Sequence, residues 1–339
     1  MQMREAIGAL LRHDNLSYDD THAIMQTIMT GEATDAQIAG FLIALAMKGE
    51  TAEEITAAAQ VMRELMQPVA LECDNVVDIV GTGGDGANLF NVSTASSFVV
   101  AAAGGHVAKH GNRGVSSSAG SADLFDVAGI YLDLDAATIA RCIEQVGVGF
   151  MFAPRHHQAM RHAIGPRREM GVRTVFNILG PLTNPASAPN QLLGVYAPHL
   201  VPLVAESLRK LGSRHVLVVH AKDGLDEISL AAPTRVAELR DGEIREYTLT
   251  PESLGIERQA LAPLKVVTAE DSLKLVKEAL VGKGAAGDIV ALNAGAALYA
   301  SGVSDSLQEG VLMAQDAQAS KLPLEKLKEL ADFTRVFAD

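Results

Sequence analysis

Four short stretches of this sequence gather residues that could do chemistry. In the first, the apolar run Val77-Asp78-Ile79-Val80 stops in Gly81-Thr82-Gly83-Gly84-Asp85-Gly86, and Asn91-Val92-Ser93-Thr94 then opens a helical apolar run. A strand that ends in a glycine loop before a fresh helix start offers free backbone N–H groups and small hydroxyls. That combination suits a phosphate or a metal–phosphate complex. It is not a dinucleotide fingerprint, since no GxGxxG opens the helix directly, and no Gly-Lys-Ser/Thr follows as in a P-loop. The plainer reading is a strand-to-helix turn with a cap.

The second stretch is Lys109-His110-Gly111-Asn112-Arg113-Gly114-Val115-Ser116-Ser117. Two cations, an imidazole, an amide, glycines and hydroxyls in nine residues suit a loop wrapped around a polyanion. The third is Arg155-His156-His157, Arg161-His162 and Arg167-Arg168. Helical spacing puts His157, Arg161 and Ile164 near one face, and one arginine could take a carboxylate through two hydrogen bonds. Spacing does not say which, and a solvated helix face explains most of these charges. The fourth is Lys222-Asp223-Gly224-Leu225-Asp226-Glu227, after the apolar run at 215–220. Carboxylates at the C-terminal end of a strand repel unless solvated or neutralised, and oxygen ligands without thiolates favour Mg²⁺. Alone, this stretch reads better as a solvated turn.

The elements that must position these stretches are of two kinds. Residues 1–66 read as helices only. Ser17, Thr34 and Thr51 precede apolar runs of helical period and predict three short amphipathic helices; Gly31 and Gly49 stand where helices end. From Asn75 onward, apolar runs at 76–80, 148–152, 192–196, 215–220 and 288–293 read as strands. They alternate with helical patterns at 138–146, 201–211 and 269–280, which predicts an α/β layer with a mostly parallel sheet. Residues 234–249 read as a hairpin around Asp241-Gly242.

Bulk properties narrow the classes. The 339 residues are 48% hydrophobic and carry a net charge of −13, which opposes a nucleic-acid backbone. The two cysteines, Cys73 and Cys142, lie far apart without a CxxC, so neither a disulfide framework nor a zinc cluster is expected. No apolar leader follows Met1, and the longest apolar stretch, 98–103, is too short to span a bilayer. A cytoplasmic protein without membrane or nucleic-acid partners is the expectation.

The run of motifs resembles the anthranilate phosphoribosyltransferase family. Gly-Thr-Gly-Gly-Asp, Asn-Val-Ser-Thr, Lys-His-Gly-Asn-Arg, Arg-Arg-Glu-Met-Gly-Val-Arg-Thr-Val-Phe-Asn-Ile-Leu-Gly-Pro-Leu-Thr-Asn-Pro and Asp-Gly-Leu-Asp-Glu occur in that family's order across nearly the whole chain. The resemblance implies a helical domain over 1–70 with a returning segment near 166–186. It implies an α/β domain from 71–165 and 187–339, and a homodimer through the helical domain. The implied reaction moves phosphoribose from phosphoribosyl pyrophosphate (PRPP) to the amine of anthranilate, a step of tryptophan biosynthesis. Gly81, Gly84, Asp85, Asn91, Val92, Ser93, Thr94, Lys109, His110, Gly111, Asn112, Arg113, Gly114, Val115, Ser116, Ser117 and Ser121 would line the PRPP site. Gly81, Asn112, His157 and Arg167 would meet anthranilate, and Ser93, Asp226 and Glu227 would hold Mg²⁺, as two ions. No residue is strictly required for proton transfer, with Lys109 and His110 the candidates for a catalytic role. The chain departs from the family pattern at Leu89, at Ser118-Ala119 and at Gln158. The alternatives are a pyrimidine-nucleoside phosphorylase, which should lack the Lys-His-Gly-Asn-Arg and Asp-Gly-Leu-Asp-Glu pair, and a non-catalytic nucleic-acid-binding relative, which would need a basic groove.

Overall fold

The Thr34 hydroxyl accepts the N–H of Gln37 while the Gln37 side chain accepts the N–H of Thr34, and Thr51 and Glu54 repeat the exchange. Reciprocal capping satisfies donors that a helix start leaves open. The protein is described by a computed structural model covering residues 1–114 and 120–338. Its first part is four helices rather than the three expected: α1 (Met3–Leu11), α2 (Tyr18–Met29), α3 (Asp35–Lys48) and α4 (Ala52–Leu65). The extra helix, α1, precedes the Ser17 cap and starts where the Glu5 carboxylate takes the N–H of Gln2 at 2.8 Å. Glu54 does more than cap α4. It is fully buried, accepts the N–H of Leu16 at 2.9 Å and pairs with the buried Lys48 ammonium at 2.9 Å. Removing one partner of such a pair costs about 3–5 kcal/mol, so this corner of the bundle is tightly held.

The strands are β1 (Val76–Gly81), β2 (His106–Gly111), β3 (Val148–Phe152), β4 (Asn190–Gly194), β5 (His215–Ala221), β6 (Thr234–Arg240) and β7 (Glu243–Leu249). They form one sheet in the order β3-β2-β1-β4-β5-β6-β7. The first five run parallel and the last two close it as an antiparallel hairpin, turning at Asp241-Gly242 with both φ positive. Strand β5 is buried on both faces. Leu217 and Val219 join one apolar core, and Val216 and Val218 join the other. The second core runs on without a break into the N-terminal helices.

Further helices follow or separate the strands: α5 (Val92–Ala102), α6 (Ser121–Val127), α7 (Ala136–Arg141), α8 (Ala153–His156), α9 (Arg161–Met170), α10 (Phe176–Leu182), α11 (Leu200–Lys210), α12 (Ala269–Ala279), α13 (Gly284–Ser301), α14 (Leu307–Ser320) and α15 (Leu322–Arg335). The apolar run at 288–293, expected as a strand, lies inside α13 instead. That helix is buried nearly all round, and such a run does not distinguish strand from buried helix. A Cβ on Gly295 would meet the Val311 backbone at 2.5 Å, so α13 and α14 cross backbone to backbone there. The strand expected over 192–196 is shifted to Asn190–Gly194.

The chain returns to the bundle after β3. Helix α9 packs on α2 and α3, and α10 packs on α4. From α4, Arg63 donates to the carbonyls of Leu182 at 2.7 Å and Leu211 at 3.3 Å, which satisfies acceptors at the ends of α10 and α11. Among the described residues no helix is long and apolar enough to cross a membrane.

Candidate active site

Parallel sheets open a crevice where strand order reverses, outside the carboxyl ends of the strands. Here the reversal lies between β1 and β4, whose last residues, Gly81 and Gly194, are register partners. Both glycines are required by the turn that follows β5. A Cβ on Gly81 would sit 2.4 Å from Asp226 Oδ2, and one on Gly194 would sit 1.4 Å from the Asp226 carbonyl oxygen. The absence of two side chains therefore lets the Asp226-Glu227 turn close over the sheet. The glycine loop is tied down at the same place. Thr82 N–H donates to the Gly194 carbonyl at 2.9 Å, and Gly83 N–H donates to Asp226 Oδ2 at 2.7 Å.

The floor of this crevice is acidic. Asp226 and Glu227 keep partial contact with solvent, yet the surrounding protein shields them from most of it. Burial pushes the Asp226 carboxyl up, and the neighbouring Asp85 carboxyl pushes it further. Burial likewise pushes Glu227 well up, with Asp226 and Asp85 adding to it, against the Lys109 cation and a hydrogen bond from the Ser93 backbone. The donor set is all oxygen: two crowded carboxylates, Glu227 held by the Ser93 backbone, with the Ser93 hydroxyl 3.3 Å from the Lys109 ammonium. Among the described residues no three of His, Cys, Asp or Glu form a closed cage. These residues fit a magnesium ion, which takes oxygen ligands, needs few from the protein and keeps several waters. Asp223, the third acid expected here, is turned aside and accepts the Ser229 hydroxyl at 2.6 Å.

Lys109, His110 and Gly111 belong to β2 and not to the loop expected from their composition. Alternate side chains on a strand face opposite ways. Lys109 is 1% exposed; its ammonium donates to the Ile79 carbonyl at 2.6 Å and to Ser93 Oγ at 3.3 Å, beneath the acidic floor. Burial lowers its pKa, against the pull of Asp78 and Glu227. His110 faces the other way. Its Nδ1 lies 3.2 Å from the Gly180 carbonyl, and its ring centroid lies 5.1 Å from that of His157. A carbonyl accepts only from N–H, so Nδ1 carries the proton and Nε2 is left as a lone pair. The Nε2 atoms of His110, His156 and His157 are all buried without a partner among the described residues. Burial holds His110 well below the usual imidazole range, with His157 adding to it, and burial holds His157 down at about 4.

His157 and Arg161 do not share a helical face as expected. Helix α8 ends at His156, a short turn covers 158–160, and Arg161 opens α9. Arg167 stacks over Phe176 at 5.0 Å, half-buried, with burial lowering its pKa and no carboxylate opposing the effect. Thr94 Oγ1 donates to Ser121 Oγ at 3.1 Å, which brings the α5 and α6 starts together. Asn91 stands at the α5 N-cap and accepts the Ser272 hydroxyl at 2.6 Å; Val92 is fully buried behind it. A Cβ on Gly111 would strike the Phe150 ring at 2.9 Å. The Asn112 side chain turns back on the Arg113 N–H, and Arg113 pairs with Asp123 and Asp126. The Asp123 carboxylate also accepts the N–H groups of Gly114 and Gly120. Val115, Ser116, Ser117, Ser118 and Ala119 lie outside the described residues.

Two residues of this region carried no weight in the motif reading. Asp78, fully buried in the middle of β1, accepts the Asn184 amide at 2.8 Å and the His110 N–H at 3.3 Å. Burial raises its carboxyl to about 6, against the Lys109 cation. A charged residue inside an apolar strand was the available signal. Arg173, whose guanidinium donates to the Gly84 carbonyl, lies inside the run that carries the resemblance, but no spacing there singled it out.

Comparison with known proteins agrees with this geometry. Residues 4–66 match a family model described as a glycosyl transferase family helical bundle domain, and residues 73–321 match the corresponding a/b domain. The chain is 81% identical to an anthranilate phosphoribosyltransferase from Chromohalobacter salexigens, over 100% of this chain and 98% of that one. A crystal structure of anthranilate phosphoribosyltransferase from Thermus thermophilus superposes with a TM-score of 0.92 at 43% identity, covering 97% of this chain and 99% of that one. The Saccharomyces cerevisiae enzyme, in complex with PRPP and Mg, gives 0.88 at 28% identity, covering 98% of each. On these matches over its whole length, the chain belongs to the anthranilate phosphoribosyltransferase family of glycosyl transferases.

Proposed function

We propose that this protein transfers 5-phosphoribose from PRPP to the amine of anthranilate, giving N-(5-phosphoribosyl)anthranilate and pyrophosphate. The observation that carries this reading is the convergence of a glycine loop, the Ser93 turn and two crowded carboxylates at the switch point of the sheet. Asp226, Glu227 and the Ser93 hydroxyl would hold Mg²⁺, as two ions, and a bound Mg²⁺ neutralises the charge of the diphosphate leaving group. The N–H groups of the glycine loop and of the Asn91–Thr94 turn bind its oxygens. Lys109 acts from beneath, fixing Ser93 and offsetting the charge of Glu227. Gly81, Gly84, Asp85, the 109–117 stretch and Ser121 complete the PRPP site.

Anthranilate is held by the Arg167 guanidinium, which Phe176 supports and which pairs with no acid among the described residues, with Asn112, His157 and Gly81 around it. Its amine is neutral at pH 7, so orienting it against the ribose carbon supplies much of the rate. The proton that the amine loses passes to solvent or to the departing pyrophosphate, since burial disfavours the His110 imidazolium. We assign residues 1–70 and 166–186 to one domain and 71–165 with 187–339 to the other, as a homodimer through the helices, working in the cytoplasm. The test is the fluorescence of anthranilate incubated with PRPP. It should fall only with both substrates and Mg²⁺ present; a steady signal in the complete mixture sinks the reading.

A further inference from the structure

Arg173 sits in the crossing between α9 and α10, after Gly171, whose positive φ turns the chain out of α9. Both flanking helices are seated on the N-terminal bundle. The side chain leaves the bundle and reaches the α/β layer at two points. Its guanidinium donates to the Gly84 carbonyl, and its Cζ lies 4.4 Å from the centroid of the Tyr196 ring. Tyr196 N–H in turn donates to Thr82 Oγ1 at 3.0 Å. Gly83, Gly84 and Gly86 all have positive φ, so this loop lacks the side-chain restraint that other residues would supply. Its base is held by the Gly194 carbonyl and by Asp226, and Ala87 N–H is held by Asp85 Oδ1 at 3.1 Å. Between these pins the Gly84 carbonyl is held by Arg173.

We infer that Arg173 is a positioning residue: it straps the glycine loop to the bundle and so presets the loop to receive the diphosphate of PRPP. The inference rests on the function proposed above. Arg173 is exposed and makes no ion pair among the described residues, so its guanidinium is not needed to hold the core together. A loop already ordered loses less conformational freedom when its ligand arrives, and the gain appears in binding of that ligand alone.

Steady-state kinetics with each substrate varied, and calorimetric titration with PRPP, test this on the full chain. Arg173→Ala should raise KM and Kd for PRPP about tenfold, as loss of a charge-assisted hydrogen bond requires. The KM for anthranilate should stay within about twofold and the thermal midpoint within about 2 °C. Tyr196→Phe keeps the ring and should behave as wild type, while Tyr196→Leu should raise the PRPP KM about threefold. Combined with Arg173→Ala, Tyr196→Leu should add nothing, because the two act through one contact. A PRPP KM unmoved in Arg173→Ala, or an equal rise for both substrates, overturns the inference. A wild-type enzyme that consumes no anthranilate overturns the function instead.

Discussion

The two faces of β2 meet opposite electrostatic problems. On one, Lys109 lies under Asp226 and Glu227, and burial pushes those carboxyls toward their neutral acids. On the other, His110 lies against His157, and burial pushes the imidazoles toward their neutral bases. The cause is the same, since low polarisability disfavours whichever form is charged. The consequence differs. The acid side is under tension that a cation relieves, whereas the histidine side is at rest and holds spare acceptors. One face is built to gather positive charge and the other to remain uncharged beside a neutral amine.

The harshest break of this contrast is Gly194→Ala. Its methyl would lie 1.4 Å from the Asp226 carbonyl oxygen, so the backbone carrying both carboxylates must move. A displacement of that order should cut kcat/KM about a thousandfold or more. Circular dichroism should still report a folded chain, and activity near wild type would show that the acidic turn is not placed by the glycine. Asp226→Asn is the milder cut. It should lower Mg²⁺-dependent turnover about a hundredfold, followed across a Mg²⁺ titration. Without Mg²⁺ at pH 7.5 it should raise the thermal midpoint, because it removes charge repulsion with Asp85 and Glu227. A lowered midpoint there would mean that the acid side carries no tension.

Arg167→Ala tests the substrate expected to touch the histidine side. It should raise the KM for anthranilate about tenfold and that for PRPP far less. Equal shifts in both would remove Arg167 from the carboxylate role.

Sequence reading located the acid side better than the histidine side, and the reason is local chemistry. The stop at Gly81, the caps at Thr34 and Thr51 and the Asp226-Glu227 pair are set by near neighbours, and chain patterns report near neighbours well. The burial of Lys109 depends on β1 and α5 closing over it, and a cation in a polar run gives no hint of that. His110 and His157 meet only because α8 ends before α9 begins, so the helical spacing assumed across that break placed His157 wrongly against Arg161. The strand expected at 288–293 failed for a third reason: α13 is apolar on every side, and periodicity vanishes when no face is exposed.

The gentlest test lies in the pH dependence of stability. His157 titrates at about 4 in the folded chain, below the ordinary imidazole value near 6.5. Between those values the unfolded chain binds a proton that the native chain refuses. Stability from this group is therefore complete above about pH 6.5 and is lost as pH falls toward 4, at about 1.4 kcal/mol per pH unit. The raised carboxyl of Asp78 slopes the other way, losing stability as pH rises toward 6, so the wild-type curve alone mixes both signs. His157→Phe keeps a ring against His110 and removes one titrating site. The difference between wild type and His157→Phe in urea-derived unfolding free energy, from pH 7.5 down to 4.5, should carry the histidine slope, of His157 and of the His110 ring coupled to it, free of the Asp78 slope. A difference that does not change with pH would mean that His157 takes its proton as readily in the fold as in the unfolded chain, and the contrast between the two faces of β2 would be lost.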